Sequence, residues 1–164
     1  MNLKTFLSAP NTKKLLSSII LPVLTGIFAG LLTRNSMQTF SVLNKPPFAP
    51  PAILFPIVWT ILYILMGISF YLIQTNRNNQ KNCSNASSLY YYQLAVNFLW
   101  SIFFFRLEWY LFSFLWLLLL WVLVFLMIQC FSKISKLASW LNVPYLLWIT
   151  FAGYLNFAIW WLNR

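Results

Sequence analysis

The stretch KPPFAPPAILFPIVWTILYILMGISFY, residues 45–71, decides the fold. Prolines fill its first part, and because proline fixes φ and lacks an N–H, the residues before Ala52 are predicted to form a stiff extended segment. Pro51 suits the first turn of a helix, and no charged side chain interrupts the run from there to Ile73. About 20 apolar residues are enough for an α-helix to cross a bilayer. The stretch therefore predicts a proline-rich connection followed by a transmembrane helix.

Composition places the whole chain in a membrane. Of the 164 residues, 61% are hydrophobic, 20% are aromatic and only 7% are charged, which is outside the range of soluble domains. Eleven Lys and Arg oppose one acid, Glu108, for a net charge of +10. These cations are scattered between apolar runs, so we expect contact with the lipid bilayer and no nucleic-acid partner.

The chain lacks histidine and has a single carboxylate. These absences argue against hydrolytic acid–base catalysis, carboxylate metal sites and proton-coupled pumping. We therefore expect no catalytic residues, no metal and no required cofactor. Cys83 and Cys130 have neither the number nor the spacing of a disulfide framework or a zinc site, and we expect both to be ordinary thiols.

Five apolar runs separated by polar or turn-forming residues predict an all-α integral membrane protein, a bundle of five transmembrane helices in a single domain over residues 1–164. The connection at 34–50 is predicted to be a lid loop. The predicted helices span about 15–33, 51–73, 88–105, 109–131 and 141–161.

The first helix carries small or kinking residues on one face. Pro22, Gly26 and Gly30 lie four residues apart, and the two glycines form a GxxxG pair that lets another helix approach closely. A small bundle must first pack its own helices, so packing within the chain is favoured, while a homodimer stays open as an alternative.

Aromatic and carboxamide side chains recur at helical spacing on the other helices. Trp59 and Tyr63 share a face of the second helix, and Gln93, Asn97 and Trp100 share a face of the third. Amides in hydrocarbon need partners. They could hydrogen-bond to neighbouring helices, or they could hold the polar group of a ligand in an apolar pocket. The residues alone leave both readings open.

Positive charge is unevenly divided between the two ends of a five-helix bundle. By the positive-inside rule the end with more cations, which includes the N-terminus, is predicted to be cytoplasmic. The membrane could be a bacterial envelope or an organelle membrane. Seven cations fall at the N-terminal end and four at the other: Lys4, Lys13, Lys14, Arg77, Lys81, Lys133 and Lys136, against Arg34, Lys45, Arg106 and Arg164.

Four ordered motifs resemble the translocator protein family, also called the tryptophan-rich sensory protein or peripheral-type benzodiazepine receptor family. They are KPPFAPP, VWTILYILMGISFY, QLAVNFLWSIFFF and PYLLWITFAGYLNFAIWWLN. The resemblance implies a five-helix bundle, often dimeric, that binds porphyrins and related flat amphipathic ligands beneath the loop between helices 1 and 2. It leaves transport, scavenging, sensing and light- or oxygen-dependent degradation of the porphyrin as possible roles, and sterol binding as a weaker one.

The resemblance implies specific roles for residues of this chain. Among these, Trp59, Asn97 and Trp148 are expected to act as stacking platform, hydrogen-bond partner and opposite wall. Arg34 and Lys45 of the lid are suited to pair with the propionates of a porphyrin or haem-related tetrapyrrole, and Pro46, Pro50 and Pro51 stiffen that lid. The implied pocket residues are Trp59, Tyr63, Asn97, Trp100, Trp148, Phe151, Ala152 and Asn156.

Two departures from the family pattern bear on activity. Thr39 and Phe40 stand where many members have an aromatic pair with a tyrosine tied to porphyrin photochemistry, so porphyrin degradation is in doubt. The family's sterol-recognition pattern is broken at Leu155, Phe157 and Trp161, so no sterol binding through it is expected.

Overall fold

The computed structural model describes residues 11–36, 43–76 and 83–164. These residues form helices, turns and connections, with no strand among them, which confirms the all-α prediction. Lys4, Thr39, Phe40, Arg77 and Lys81 lie outside the described residues. The helices are α1 (Thr12–Thr33), α2 (Leu54–Thr75), α3 (Ala86–Ser101), α4 (Tyr110–Ile134), α5 (Lys136–Trp140) and α6 (Val143–Leu162).

Local hydrogen bonds set helix ends that differ from the predicted ones. α1 begins at Thr12 because Asn11 Oδ1 accepts from the Lys14 N–H at 3.2 Å and caps the first turn. α2 begins at Leu54, three residues after the predicted Pro51, because a turn precedes it in which Leu54 N donates to the Pro51 carbonyl at 2.9 Å. Its proline in the first turn is therefore Pro56, where a missing N–H is tolerated.

Two helices change character along their length. α3 continues into a π-helical segment, Ile102–Arg106, before the turn to α4. The run predicted as one helix at 141–161 is two, α5 and α6, because Asn142 interrupts it. Asn142 is fully buried, and its Nδ2 donates to Ser69 Oγ of α2 (2.6 Å) and to the Ala138 carbonyl of α5 (2.9 Å). The Asn142 side chain thus links the interruption between α5 and α6 to α2 at the centre of the bundle.

Within the described ranges, four segments are long and apolar enough to cross a membrane: α1, α2, α4 and the combined run Lys136–Leu162. Large apolar side chains cover their outer faces, for example Leu31 (60% exposed) and Leu115 (55% exposed). An apolar exterior of this extent is stable in lipid and not in water. The chain is an integral membrane protein.

The core lies around α2, whose C-terminal half is almost fully buried. Met66 and Ile73 have no exposed surface, and the Phe70 ring stacks on Tyr90 of α3 with centroids 3.9 Å apart and planes 1° apart. α1 is more peripheral, and it packs mainly against α2. The region where α1 meets α2 and α3 is therefore the part of the bundle with room for a cavity.

Small residues let α1 and α2 approach closely. A methyl group on Gly67 of α2 would lie 2.5 Å from Ile19 Cα, and one on Gly26 of α1 would collide with the Tyr63 ring. Pro22, on the same face of α1, is buried. Gly26 and Pro22 thus serve packing within the chain, as the sequence favoured. Gly30 differs, since no atom lies within 4 Å of the position its Cβ would take.

The expectation that Cys83 and Cys130 are free thiols is wrong. The two cysteines form a disulfide with a Cα–Cα distance of 5.7 Å. Cys83 immediately precedes the turn into α3, and Cys130 lies near the end of α4. Sequence spacing could not reveal the pair, whose sequence separation is 47. The segment between the two cysteines forms two helices that run out and back and bring their far ends together.

Loss of this disulfide should lower stability, because the bond joins residues at a sequence separation of 47 and so restricts the unfolded chain. Chain entropy predicts about 4 kcal/mol for a loop of this length, and helices that stay inserted in the unfolded state reduce this, so we expect about 2–4 kcal/mol for Cys83→Ala. Thermal unfolding in detergent measures the change, with Ser84→Ala as the matched control. Reductant should bring the wild type to the melting temperature of Cys83→Ala, and equal melting of all samples would contradict the prediction.

Candidate functional site

A cavity of about 420 Å³ lies between α1, α2 and the end of α3. It lies where α1 ends and α2 begins, since Arg34, at the end of α1, and Phe55 and Pro56, at the start of α2, all line it. Pockets for drug-sized molecules measure about 300–1,000 Å³. The volume therefore suits a small organic ligand.

Aromatic rings form the inner wall of the cavity. Trp59 stacks on Tyr63 with centroids 5.5 Å apart and lies 6.2 Å from the Trp100 ring, and all three line the cavity. Tyr63 and Trp100 are buried, and Trp59 is half-buried. Three adjoining rings offer a flat apolar ligand a surface to stack on. The sequence predicted all three residues as pocket members.

The opposite wall comes from α1 and is made of small and aliphatic residues. Gly30 borders the empty space with nothing in contact range of a Cβ, and Gly26 lies against the Tyr63 ring. Polar groups are few: the hydroxyls of Thr33 and Thr60 donate to carbonyls of their own helices. The exposed Arg34 side chain supplies the one cation among the described lining residues.

Asn97 belongs to a buried hydrogen-bond network behind the aromatic wall and is not part of the described cavity lining. It has no exposed surface, its Nδ2 donates to Tyr145 Oη at 2.7 Å, and its Oδ1 accepts from Tyr63 Oη at 3.5 Å. Tyr145 Oη in turn donates to Gln93 Oε1 at 3.1 Å. The network joins α2, α3 and α6, so the amides have protein partners, and Asn97 reaches the cavity only through Tyr63.

Replacing Asn97 by leucine should therefore destabilise the bundle. The change removes the amide that donates to the Tyr145 hydroxyl and the oxygen that accepts from the buried Tyr63 hydroxyl. An unsatisfied buried polar group costs about 1–3 kcal/mol. Thermal unfolding in detergent measures the loss. Ser132→Ala, which removes an exposed hydroxyl that donates to the Gln129 carbonyl of its own helix, α4, serves as the control. A melting temperature equal to that of the wild type would contradict the structural role of Asn97.

Asn156 lies at the centre of a second buried network. Its Nδ2 donates to the Tyr110 carbonyl at 2.8 Å, and its Oδ1 accepts from Ser113 Oγ at 3.1 Å and from Trp100 Nε1 at 3.2 Å. These bonds join α6 to α4 and fix the Trp100 indole that lines the cavity. Asn156 therefore does not line the cavity itself but positions Trp100, which does.

The remaining predicted residues of α6 lie beyond the described lining. Trp148 contacts Phe55, a lining residue, with ring centroids 5.9 Å apart, and Phe151 contacts Trp148 at 5.7 Å. Ala152 is buried in the core. The Trp148 Nε1 atom is buried without a hydrogen-bond partner among the described residues. The Trp148 indole therefore has an unused N–H donor, and Phe55 separates its ring from the cavity.

The connection before α2 is attached to α6. The Asn44 N–H donates to Asn163 Oδ1 and Asn163 Nδ2 donates back to the Asn44 carbonyl, both at 3.0 Å, while Tyr154 Oη donates to the Pro47 carbonyl at 3.1 Å. Of the predicted lid residues, Pro46 is buried, Pro50 is half-buried, and Lys45 and Pro51 are exposed. These bonds hold the start of the proline segment against the end of the last helix.

Sequence reasoning missed several residues that shape the site. Tyr145 of α6 connects Asn97 to Gln93, and Asn163 holds the connection beside the cavity. A signal for Tyr145 was present, because a tyrosine amid apolar residues needs a hydrogen-bond partner. No comparable signal marks Asn163, since an asparagine near the end of a chain is unremarkable.

Comparison with known proteins gives a consistent result. The sequence model of the TspO/MBR family matches residues 18–162. The tryptophan-rich protein TspO of Archaeoglobus fulgidus is 41% identical over 154 residues, which cover 93% of this chain and 99% of that protein.

Relatives from bacteria and animals also match over most of their length. Protein CrtK of Rhodobacter capsulatus is 38% identical over 124 residues, covering 76% of this chain and 78% of that protein. The translocator protein of Bos taurus is 32% identical over 150 residues, covering 88% of this chain and 87% of that protein. The similarity therefore extends across distant groups of organisms.

Proposed function

The chain belongs to the TspO/MBR family, and from this membership we propose that it is a membrane-embedded binding protein for porphyrins and related flat amphipathic ligands. The observation that carries the proposal is the cavity beside the 34–53 connection, with its wall of Trp59, Tyr63 and Trp100 and its cation at Arg34. Binding of this kind serves sensing, transport or scavenging of the ligand.

The shape and chemistry of the cavity support a planar ligand. Aromatic rings stack well on a conjugated macrocycle, and Gly30 leaves part of the facing α1 wall without a side chain. Trp148, behind Phe55, offers an unused N–H donor to a polar group that enters between the two rings. Asn97 and Asn156 position the wall through Tyr63 and Trp100, and Phe151 and Ala152 support Trp148 and the core behind it.

Charge gives the ligand a preferred orientation. Arg34 is exposed at the end of α1 and can form charge-assisted hydrogen bonds with a carboxylate. The exposed Lys45 follows in the same connection. A porphyrin with propionate groups would therefore place its apolar edge against Trp59 and its carboxylates toward these cations.

Replacement of Arg34 by glutamine tests this orientation. We expect Arg34→Gln to weaken binding of protoporphyrin IX about tenfold, since a hydrogen bond to a charged group contributes about 1.5–3 kcal/mol and this one is partly solvated. Binding of the uncharged dimethyl ester should not change. Arg106→Gln, which removes a cation at the same end of the bundle outside the described lining, is the control. Equal affinities of Arg34→Gln and wild type for both ligands would contradict the orientation.

We also propose that the chain crosses the membrane five times. α3 and its π-helical continuation together run from Ala86 to Arg106, a length of about 30 Å at 1.5 Å per residue, which matches the hydrocarbon core. The N-terminus is then on the side with more cations, the cytoplasmic side by the positive-inside rule. The Cys83–Cys130 disulfide lies at that same end. Because disulfides are rare in the cytosol, this bond argues for the opposite orientation, and the orientation proposed here rests on the charge count alone.

A further inference from the structure

A second concavity lies on the outer surface, where the turn between α3 and α4 meets the end of α6. It is an open groove of about 510 Å³ and shares no described lining residue with the cavity among α1, α2 and α3. Glu108 and Trp109 precede α4, and Leu111 and Leu115 lie further along it, while Trp160 of α6 also lines the groove. Polar and apolar parts of the groove thus follow one another along the bundle axis.

Glu108 is the only acidic residue of the chain. Its side chain is exposed, and it has no ion pair within the described parts of the chain. Its backbone adopts φ 56°, a left-handed conformation that is unfavourable for a residue with a Cβ. Because strained residues of this kind concentrate at binding sites, a lone carboxylate held in this conformation suggests a cationic ligand.

Aromatic rings line the same groove as the carboxylate. Trp109 is 55% exposed, and its ring is held by Phe103, stacked at 6.3 Å, and by Phe112, edge-on at 5.9 Å. Trp160 lies across the groove from the other helix. Tryptophan faces attract ammonium groups, and aromatic walls beside a carboxylate are a recurrent way of binding quaternary ammonium.

A positive charge and an apolar track complete the site. The Arg164 guanidinium lies 3.4 Å from the Trp161 ring centroid and 5.7 Å from that of Trp160, so a cation is held beside the groove. Leu111 and Leu115, one helical turn apart on α4, are 43% and 55% exposed and continue the groove along the lipid-facing surface. A soluble ammonium compound would leave this apolar track empty.

We propose that this groove binds a zwitterionic phospholipid at the membrane interface. The ammonium group of the lipid lies at Glu108 between Trp109 and Trp160, its phosphate lies toward Arg164, and an acyl chain follows Leu111 and Leu115. The carboxylate and the guanidinium complement the two opposite charges of the head group, and the apolar track selects a lipid over a soluble amine.

Lipid retention tests the proposal. Detergent-purified protein is equilibrated with equal amounts of phosphatidylcholine and phosphatidylglycerol with identical acyl chains, and retained lipid is counted by native mass spectrometry. The wild type should retain phosphatidylcholine over phosphatidylglycerol by about tenfold, the effect expected of one partly desolvated ammonium site. Glu108→Gln and Trp109→Leu should reduce the ratio toward one, while Trp140→Leu, an exposed tryptophan on α5, should keep it. An equal ratio in wild type and Glu108→Gln would overturn the proposal.

Two further measurements guard the interpretation. Glu108→Gly removes the charge and suits the positive φ, so it tests the carboxylate even if Glu108→Gln folds poorly. It should lose the lipid preference and keep the wild-type melting temperature. Glycerophosphocholine, the free head group, should not displace bound lipid. If it displaces lipid at equal concentration, or if Glu108→Gln changes only the ratio of dimer to monomer, the lipid site is refuted.

Discussion

Gly67→Ala should destabilise the bundle more than any other single-methyl change considered for this chain. The added methyl group would meet the Ile19 backbone at 2.5 Å and the Ser18 carbonyl oxygen at 2.9 Å, and a helix backbone cannot move aside as a side chain can. Overpacking usually costs about 1–3 kcal/mol, and this contact is expected at or above the upper end of that range. The measurement is the thermal unfolding midpoint in detergent.

Gly153→Ala is the matched control for that change. Its methyl group would lie 3.7 Å from Leu117 Cδ2, an ordinary van der Waals contact, and alanine is favoured over glycine within a helix. We expect Gly153→Ala to melt at or slightly above the wild-type temperature. Equal melting of Gly67→Ala and Gly153→Ala would show that α1 and α2 do not approach as closely as described.

Gly30→Phe should weaken ligand binding strongly without unfolding the protein. No atom lies within 4 Å of the added Cβ, so the phenyl ring can extend into the cavity and occupy the space facing Trp59. We expect protoporphyrin IX to bind at least about tenfold more weakly, which corresponds to about 1.4 kcal/mol. A bound ligand stabilises the protein by an amount that grows with the logarithm of its affinity, so the rise in melting temperature expected for the wild type should be clearly smaller in Gly30→Phe.

Leu31→Phe is the control for the cavity-filling variant. Leu31 is the next residue on α1, is 60% exposed toward lipid and is not part of the cavity lining. Leu31→Phe should keep the increase in melting temperature caused by protoporphyrin IX. If Gly30→Phe keeps it as well, the ligand binds elsewhere and the cavity is not the site.

The all-α fold was readable from the sequence, because an apolar run of membrane length has few stable structures other than a transmembrane helix. The shared face of Trp59 and Tyr63 on α2, and that of Asn97 and Trp100 on α3, were readable from helical spacing, while their assignment to a pocket came from the family resemblance. Spacing could not tell which side chains face empty space and which face protein. Asn97 and Trp100 share a helix face, yet Trp100 lines the cavity and Asn97 lies behind it.

The features missed by the sequence analysis depend on contacts between distant segments. The Cys83–Cys130 disulfide forms because two helix ends coincide, and the Asn142 break in the last helix is stabilised by Ser69 of α2. Neither pairing leaves a periodic trace in the sequence. Gly30 is a related case, because a glycine that borders a cavity and a glycine that packs against a helix look identical in a GxxxG motif.

The most direct test of the account is a titration of the detergent-purified wild type and Trp59→Leu with protoporphyrin IX, followed by quenching of tryptophan fluorescence. The account predicts saturable quenching of the wild type with one ligand per chain, and clearly weaker binding to Trp59→Leu, which lacks the ring at the centre of the cavity wall. Quenching that rises without saturation and with the same slope in both proteins would mean that the porphyrin only partitions into detergent, and it would contradict the proposed function.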